Sequence, residues 1–543
     1  MNSIWNKNFE AFKKRFPQLA QMMSSNPVPP ESIWKLEQAK NGNITASEGG
    51  VRLHSAYNPE REAAGAVGRD EVFDKSAVVF YGFGLGYHVI EFAKFAVARV
   101  AGSSNRNCKI PRLVLIEPDI NHFLAALCLL DWSPVFALEE LVIAVACPAE
   151  SVLSLLEDSS VVNVGETGVS DAYFFDIPSF TAHATPYFDT VRSIIKRNQR
   201  KNEINAATLK KFGRLWCRNS IKNIGQMEKL SGIAALEGSC KTAGEGPLPF
   251  IIFGAGPSLE TLIPKMKELS ERAVTVCVET SLHTLLRAGV QPDFILLTDP
   301  QFWAYRHIAG LRATESILVT EVSAYPAVFR FNCKKILLCG SQFPVGQYFE
   351  KKLGLAPGDL GTGGSVASCA WNFARFCGAS EIFTAGLDLA FPNKQTHIKG
   401  SSAEQTYHTI SSRLSASDKF TAASLYSANA VPGRDYKGNP VLTDSRMKMF
   451  AWWFESRLAS CPEVKTYTLC PQGLSVPGIQ PADISALLSR PVIIESKNAL
   501  RNFAAELPPF AASAENKNKL ESLIKTFPQP DFLSAYPFLK EYL

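Results

Sequence analysis

Asp388 and His397 stand nine residues apart, just beyond the apolar run Ile382-Phe383-Thr384. A carboxylate and an imidazole on one such loop can position and deprotonate an acceptor hydroxyl. The other seven histidines lack this placement. Upstream, Phe250–Phe253 runs straight into Gly254-Ala255-Gly256-Pro257-Ser258-Leu259. Gly254 and Gly256 let the backbone turn sharply and approach a ligand, and Pro257 fits a first helical turn. Ser258 is placed to cap that helix, leaving its first N–H groups to face a phosphate. Glu279 closes the next apolar run about two dozen residues on, where doubly wound nucleotide folds hold a ribose hydroxyl. Asp299, in Thr298-Asp299-Pro300, closes a third. Thr362, Gly363, Gly364 and Ser365 then open a helix with the composition of an anion-binding nest. A tight turn, a surface acid or a helix-start loop would account for each of these alone. Their position after strands is what points to a ligand.

No Asp-x-Asp follows any strand of this block, although that pair holds the metal in many transferases using diphosphate sugars. The pattern is compatible with a monophosphate donor such as a CMP-sugar. No essential divalent metal is expected, and no cofactor beyond the donor itself.

These residues need strands to carry them. Val274–Val278, Phe294–Leu297, Ile317–Thr320, Ile336–Cys339 and Ile382–Thr384 read as buried strands, with helical patterns filling most of the gaps, for example over Leu259–Leu269. Such alternation predicts an α/β fold with a mostly parallel, doubly wound sheet, whose ligands sit beyond the carboxyl ends of the strands. An earlier block repeats the theme with Ala77–Tyr81, Leu113–Ile116, Leu141–Ala146 and Ala172–Phe175. The chain reads as multidomain: an N-terminal helical segment (1–50), a Rossmann-like domain (51–190), a basic helical connector (191–245), a central catalytic domain (246–480) and a helical C-terminal region (481–543).

With 46% hydrophobic and 20% charged residues, the whole chain reads as folded. No apolar run reaches 18 residues and the N-terminus lacks a signal-peptide core, so no membrane span and a cytoplasmic location are expected. The twelve cysteines form no Cys-x-x-Cys pair, which predicts reduced buried thiols rather than disulfides or a zinc site. A net charge of +5 does not imply nucleic acid. Ten Lys and Arg residues between Arg192 and Lys222 face the single acid Glu203. That segment predicts a long connector helix with a solvated basic face, the alternative being a surface for an anionic substrate or acidic partner.

Gly254 to Leu259, Thr298-Asp299, Gly363 to Ala367, Gly386 to Phe391, and Thr396-His397 with Gly400 resemble the motility-associated factor (Maf) family. The resemblance implies a flagellin glycosyltransferase that moves a nonulosonic, sialic-acid-like sugar from a CMP donor to Ser or Thr of flagellin. It also implies a central domain related to bacterial sialyltransferases, with Ala255 where those enzymes carry Asn. The same block resembles archaeal pterin diphosphokinases. A non-catalytic flagellin chaperone is a further alternative. Gly82-x-Gly84-x-Gly86 with Glu117 resembles the cofactor turn of methyltransferases. No catalytic motif accompanies it, so a structural Rossmann-like domain is expected there.

Overall fold

A computed structural model describes residues 3–23, 27–102, 110–152, 171–241, 246–361, 363–510 and 514–543. The chain forms two compact units, Met1–Leu209 and Lys210–Leu543. The range 191–245 straddles the boundary between these units, and 481–543 lies within the second.

In the first unit an antiparallel ladder of β1 (Lys35–Gln38), β2 (Ile44–Glu48) and β3 (Val51–Arg52) precedes a parallel sheet. That sheet is built from β4 (Ala77–Tyr81), β5 (Arg112–Glu117), β6 (Leu141–Val145) and β7 (Ala172–Asp176), in the order β6-β5-β4-β7. Every residue of β4 is buried, as expected of a central parallel strand covered on both faces. The chain crosses from β6 to the far side of β4, which puts the topological switch between β4 and β7.

The second unit has a nine-stranded sheet in the order β18-β17-β14-β9-β10-β11-β12-β13-β8. Its strands are β8 (Ser231–Gly232), β9 (Phe250–Phe253), β10 (Val274–Val278), β11 (Phe294–Leu296), β12 (Arg312–Thr320), β13 (Asn332–Leu338), β14 (Glu381–Ala385), β17 (Lys465–Thr468) and β18 (Ile479–Pro481). All its pairings are parallel. An antiparallel hairpin of β15 (Val431–Arg434) and β16 (Pro440–Thr443) stands apart from it. From β9 the chain builds outward through β13, then returns to lay β14 on the other side of β9. The switch therefore lies between β9 and β14.

One helix, Thr185–Asn223, contains the basic segment. Its first turns bury Phe188, Val191 and Ile195 against the first sheet, while Arg192 pairs with Asp176 and Asp189. In its last turns, the buried side-chain amides of Asn219 and Asn223 donate to the carbonyls of Pro300, Val322, Ser323 and Ala324. The loops after β11 and β12 are thereby tied to this helix, a role that charge counting did not suggest. The C-terminal helix Ile494–Glu506 packs Leu500 and Ala504 into the core of the second sheet. Lys497 and Arg501 reach the fully buried Asp293 at 2.8 and 3.3 Å. Asp293 also accepts from the Thr275 amide and hydroxyl, so the buried charge is fully partnered.

Candidate functional site in the second unit

The loops leaving β9 and β14 meet at the switch. Gly254 N–H donates to Ala385 O (2.8 Å) and Gly256 N–H to Gly386 O (2.9 Å). A Cβ on Gly254 would lie 2.5 Å from Gly386 O; one on Gly256 would lie 2.6 Å from the same oxygen and would strike the Asp388 carboxylate. The glycines are required here, but the close approach they permit is to the neighbouring loop.

Ser258 departs from the sequence expectation in the same way. The helix is capped by Gly256, without a side-chain bond, and runs as a 3₁₀ helix over Pro257–Lys265 with Pro264 inside it. Pro264 has no N–H to give, and only Met266–Ser270 is α-helical. Ser258 turns instead to Asp388, its amide donating at 3.0 Å to one carboxylate oxygen and its hydroxyl to the other. Burial pushes the Asp388 carboxyl up to about 6, against the lowering effect of both Ser258 bonds. At neutral pH this is an anion already seated on the turn, and the Ser258 amide is not free to meet a phosphate.

One strand along, Glu279 opens the helix Glu279–Arg287 and is buried, with Oε2 making no hydrogen bond. Burial, reinforced by Asp299, raises its carboxyl to about 8. Burial raises Asp299 too, although Gln301 donates to it from its amide (2.7 Å) and side chain (3.3 Å). Glu279 is thus a largely neutral acid at pH 7, able to donate to a ligand oxygen without repelling a phosphate.

Ser365 caps the helix Val366–Phe376 through a reciprocal box with Ser368. Ser365 Oγ is therefore engaged, and Gly363 is packed against Ser368. Thr362 lies outside the described residues. Three residues into that helix, Cys369 Sγ lies 4.0 Å from Thr298 Oγ1, which brings the helix start to the carboxyl ends of β10 and β11.

His397 is tethered beside the glycine turn, because Ile398 N–H donates to Ala255 O at 2.9 Å. Its Nδ1 is buried without a partner, and burial together with Arg446 lowers its basicity, leaving it neutral at pH 7. His307 bonds Ser402 and is itself pushed down to about 4 by burial and by the neighbouring His397 and Arg306.

The structure therefore bonds Ser258 to Asp388 and packs Gly256 against the same carboxylate, ties Gly254 to Ala385 and Gly386 ahead of it, sets His397 beside that turn, and pairs Glu279 with Asp299 on the adjacent rim. His307 and Arg446 escaped sequence reasoning, since neither lies near a motif. The exposed pair Phe302-Trp303, one residue beyond Thr298-Asp299-Pro300, was a readable signal for a stacking surface.

Taken together, these features define a two-unit α/β protein with a ligand-type switch point in its larger sheet. Its fold is that of a Maf glycosyltransferase from Magnetospirillum magneticum AMB-1, whose solved structure superposes with a TM-score of 0.61 over 100% of this chain and 90% of that one, at 15% identity. A family model described as 6-hydroxymethylpterin diphosphokinase MptE-like matches residues 218–394, the stretch that holds most of the site. Two uncharacterized proteins of Treponema pallidum (strain Nichols) are similar in sequence. One is 36% identical over 231 residues, 37% of this chain and 59% of that protein. The other is 29% identical over 281 residues, 49% of this chain and 85% of that protein.

Proposed function

We propose that the second unit is a glycosyltransferase that moves a nonulosonic sugar from a CMP donor to Ser or Thr of flagellin, acting in the cytoplasm and serving flagellar assembly and motility. The observation that carries this reading is the switch point itself. A glycine turn locked by Asp388 has a neutral acid on one side and an unpartnered neutral imidazole on the other, within a chain that has the Maf glycosyltransferase fold throughout.

The nucleotide rests beside the Gly254–Ser258 turn, which Asp388 fills from within and holds in shape, with Glu279 and Asp299 toward its ribose and base. The reaction is a single displacement: the acceptor oxygen bonds to the anomeric carbon as the carbon–oxygen bond to the phosphate breaks, and CMP leaves with the electron pair. The backbone of Gly363 and Gly364, ahead of the helix that Ser365 caps, stabilises the departing phosphate. His397 takes the hydroxyl proton. Asp388, held at both oxygens, positions the turn and thereby the donor. No metal takes part. Mass spectrometry of flagellin from cells with and without the protein tests the reading: loss of the nonulosonic mass on deletion is the expected result, and unchanged flagellin overturns it.

A second reading has one specific observation in its favour. Glu279 and Asp299 sit on adjacent strand ends within electrostatic reach, an arrangement that could hold magnesium for a pterin diphosphokinase-like transfer from ATP. Magnesium-dependent ATP consumption with a hydroxymethylpterin would establish it.

A further inference from the structure

A second cluster of chemistry-bearing side chains lies in the first unit. Glu48 at the end of β2, His122 on the helix Ile120–Ala126 after β5, and His183 beyond β7 each offer one ligand atom, all within 4.8 Å of one another. His122 Nε2 is 2.9 Å from Glu48 Oε1, and His183 Nε2 is 2.8 Å from Glu117 Oε1. The two imidazoles stack at 4.2 Å with their planes 18° apart. Asp119 Oδ2 lies 3.1 Å from His122 Nδ1, though not in line for a hydrogen bond. Trp34 Nε1 donates to the second oxygen of Glu48 (3.1 Å), and the Asp119 amide donates to Glu117 (3.0 Å).

Three carboxylates thus surround two stacked rings, and every residue but Asp119 is largely removed from water. A single imidazolium offsets one of the three carboxylate charges, whereas one divalent cation offsets two and leaves both rings neutral. Neighbouring ligands of a tetrahedral zinc ion stand about 3.3 Å apart for bonds near 2.0–2.1 Å; the ligand atoms here lie within 4.8 Å of one another, and one ring must tilt out of the stack for both to face the same ion. Imidazole with carboxylate selects zinc-like transition ions over magnesium or calcium. Asp119 is placed to orient His122 from its far nitrogen, as a carboxylate does in many histidine–zinc sites. Glu48 also lines a surface groove with Trp34, Glu37 and Arg52, which gives an ion a route in.

We propose that Glu48, His122 and His183 bind one zinc-like divalent transition-metal ion, with Glu117 adjoining His183 and Asp119 orienting His122. The ion staples β2, the helix after β5 and the segment after β7 at the carboxyl rim of the first sheet. It is separate from the transfer site proposed for the second unit. Cysteine spacing could not reveal it, because its ligands are 74 and 61 residues apart along the chain.

The test uses the full chain, stripped with chelator and titrated with cobalt(II) chloride, then with zinc chloride in competition. One equivalent of cobalt should give the ligand-field absorption of a low-coordinate nitrogen–oxygen site, and zinc should quench it and raise the melting temperature. His183→Ala and Glu48→Gln should each weaken zinc at least tenfold, and Asp119→Asn should weaken it ten- to hundredfold. Circular dichroism and CMP affinity report whether each variant is folded. A wild-type protein that shows no cobalt absorption and no zinc-dependent stabilisation overturns the proposal without recourse to any variant. So do folded His183→Ala and Glu48→Gln proteins that bind zinc as tightly as the parent.

Discussion

The two units carry nearly the same sequence signal at the same place in the same kind of sheet. Each has Gly-x-Gly after a buried strand at its topological switch, and an acid after the next strand. The surroundings differ. In the first unit a Cβ on Gly82 would strike Phe180 O, one on Gly84 would lie 2.7 Å from His54 Nε2, and one on Gly86 would strike Trp132. The Leu85 N–H, in the middle of that turn, donates to His54 Nε2 at 2.9 Å. Burial and the nearby His88 hold that imidazole down at about 3, so it is a neutral acceptor. Glu117 is taken by His183. In the second unit the turn is also filled from within, by Asp388, but Glu279 and His397 beside it keep buried polar atoms without partners. A glycine turn is therefore a packing device in both sheets. Orphaned imidazole nitrogens lie near each, His54 and His88 Nδ1 in the first unit and His397 Nδ1 in the second, so what sets the second turn apart is the unpartnered carboxyl oxygen of Glu279 with Asp299 close by.

The largest effects expected from this comparison are on stability. Gly86→Ala should cost about 4 kcal/mol, because Gly86 has φ +100° and the new methyl meets the fully buried Trp132. Gly256→Ala should cost about 3 kcal/mol, since it meets a backbone carbonyl as well as the Asp388 carboxylate. Urea unfolding checks both. A Gly256→Ala protein of parental stability that has lost CMP binding would show that the second turn is open to ligand after all. The first unit should bind no S-adenosylmethionine, and calorimetric detection of binding there would mean that the His54, Phe180 and Trp132 packing gives way.

Next in size is catalysis. His397→Ala should lower the transfer rate by roughly 10²–10⁴-fold while leaving CMP affinity unchanged, with partial recovery at high pH. A near-parental rate removes His397 as the base. Asp388→Asn should act differently, because it loosens the Ser258 clamp and so raises the donor KM together with any loss of rate.

Glu279 yields a smaller, pH-resolved effect. Its folded-state value of about 8 lies above the ordinary 4.5, so it is neutral at pH 7 and gains its charge as pH rises through 8. The new negative charge opposes a phosphate. CMP affinity should hold steady near pH 7 and fall by up to roughly tenfold per unit above 8. Glu279→Gln should flatten that limb. The same sign governs stability: the protonated carboxyl favours the folded state fully below 4.5, and that contribution is lost as pH rises through 8. A parent whose CMP affinity is level from pH 7 to 9 would exclude Glu279 from the ligand's surroundings.

The strands were legible because parallel strands buried on both faces read as unbroken apolar runs, and Phe250–Phe253 and Val274–Val278 fall where those runs predict. The positions of Glu279, Asp299 and His397 followed from strand ends. What those side chains touch did not, because it depends on partners far away in sequence. Ser258 was read as a cap from its local context, whereas its partner Asp388 is 130 residues distant. The 3₁₀ course of Pro257–Lys265 could have been read from Pro264. Nothing local links Glu48 to His122 and His183, or His307 to His397, and folding alone brings them together.

The smallest effect should come from chelation, and it bears on the sharpest contrast between the two units. Among the described residues, the cluster with three metal-ligating side chains is that of Glu48, His122 and His183 in the first unit. The Glu279–Asp299 pair offers two acids, one of them held neutral near pH 7, and a magnesium ion would need more ligands than that from water or substrate. Dialysis against EDTA should therefore lower the melting temperature through the first unit yet change CMP affinity by less than ~2-fold, which is ~0.4 kcal/mol. Calorimetry before and after chelation reads the affinity. If affinity collapses and magnesium restores it, the acid pair is a metal site and the diphosphokinase-like reading replaces the glycosyltransferase one. If zinc alone restores it, the ion in the first unit governs a site that its own unit does not contain.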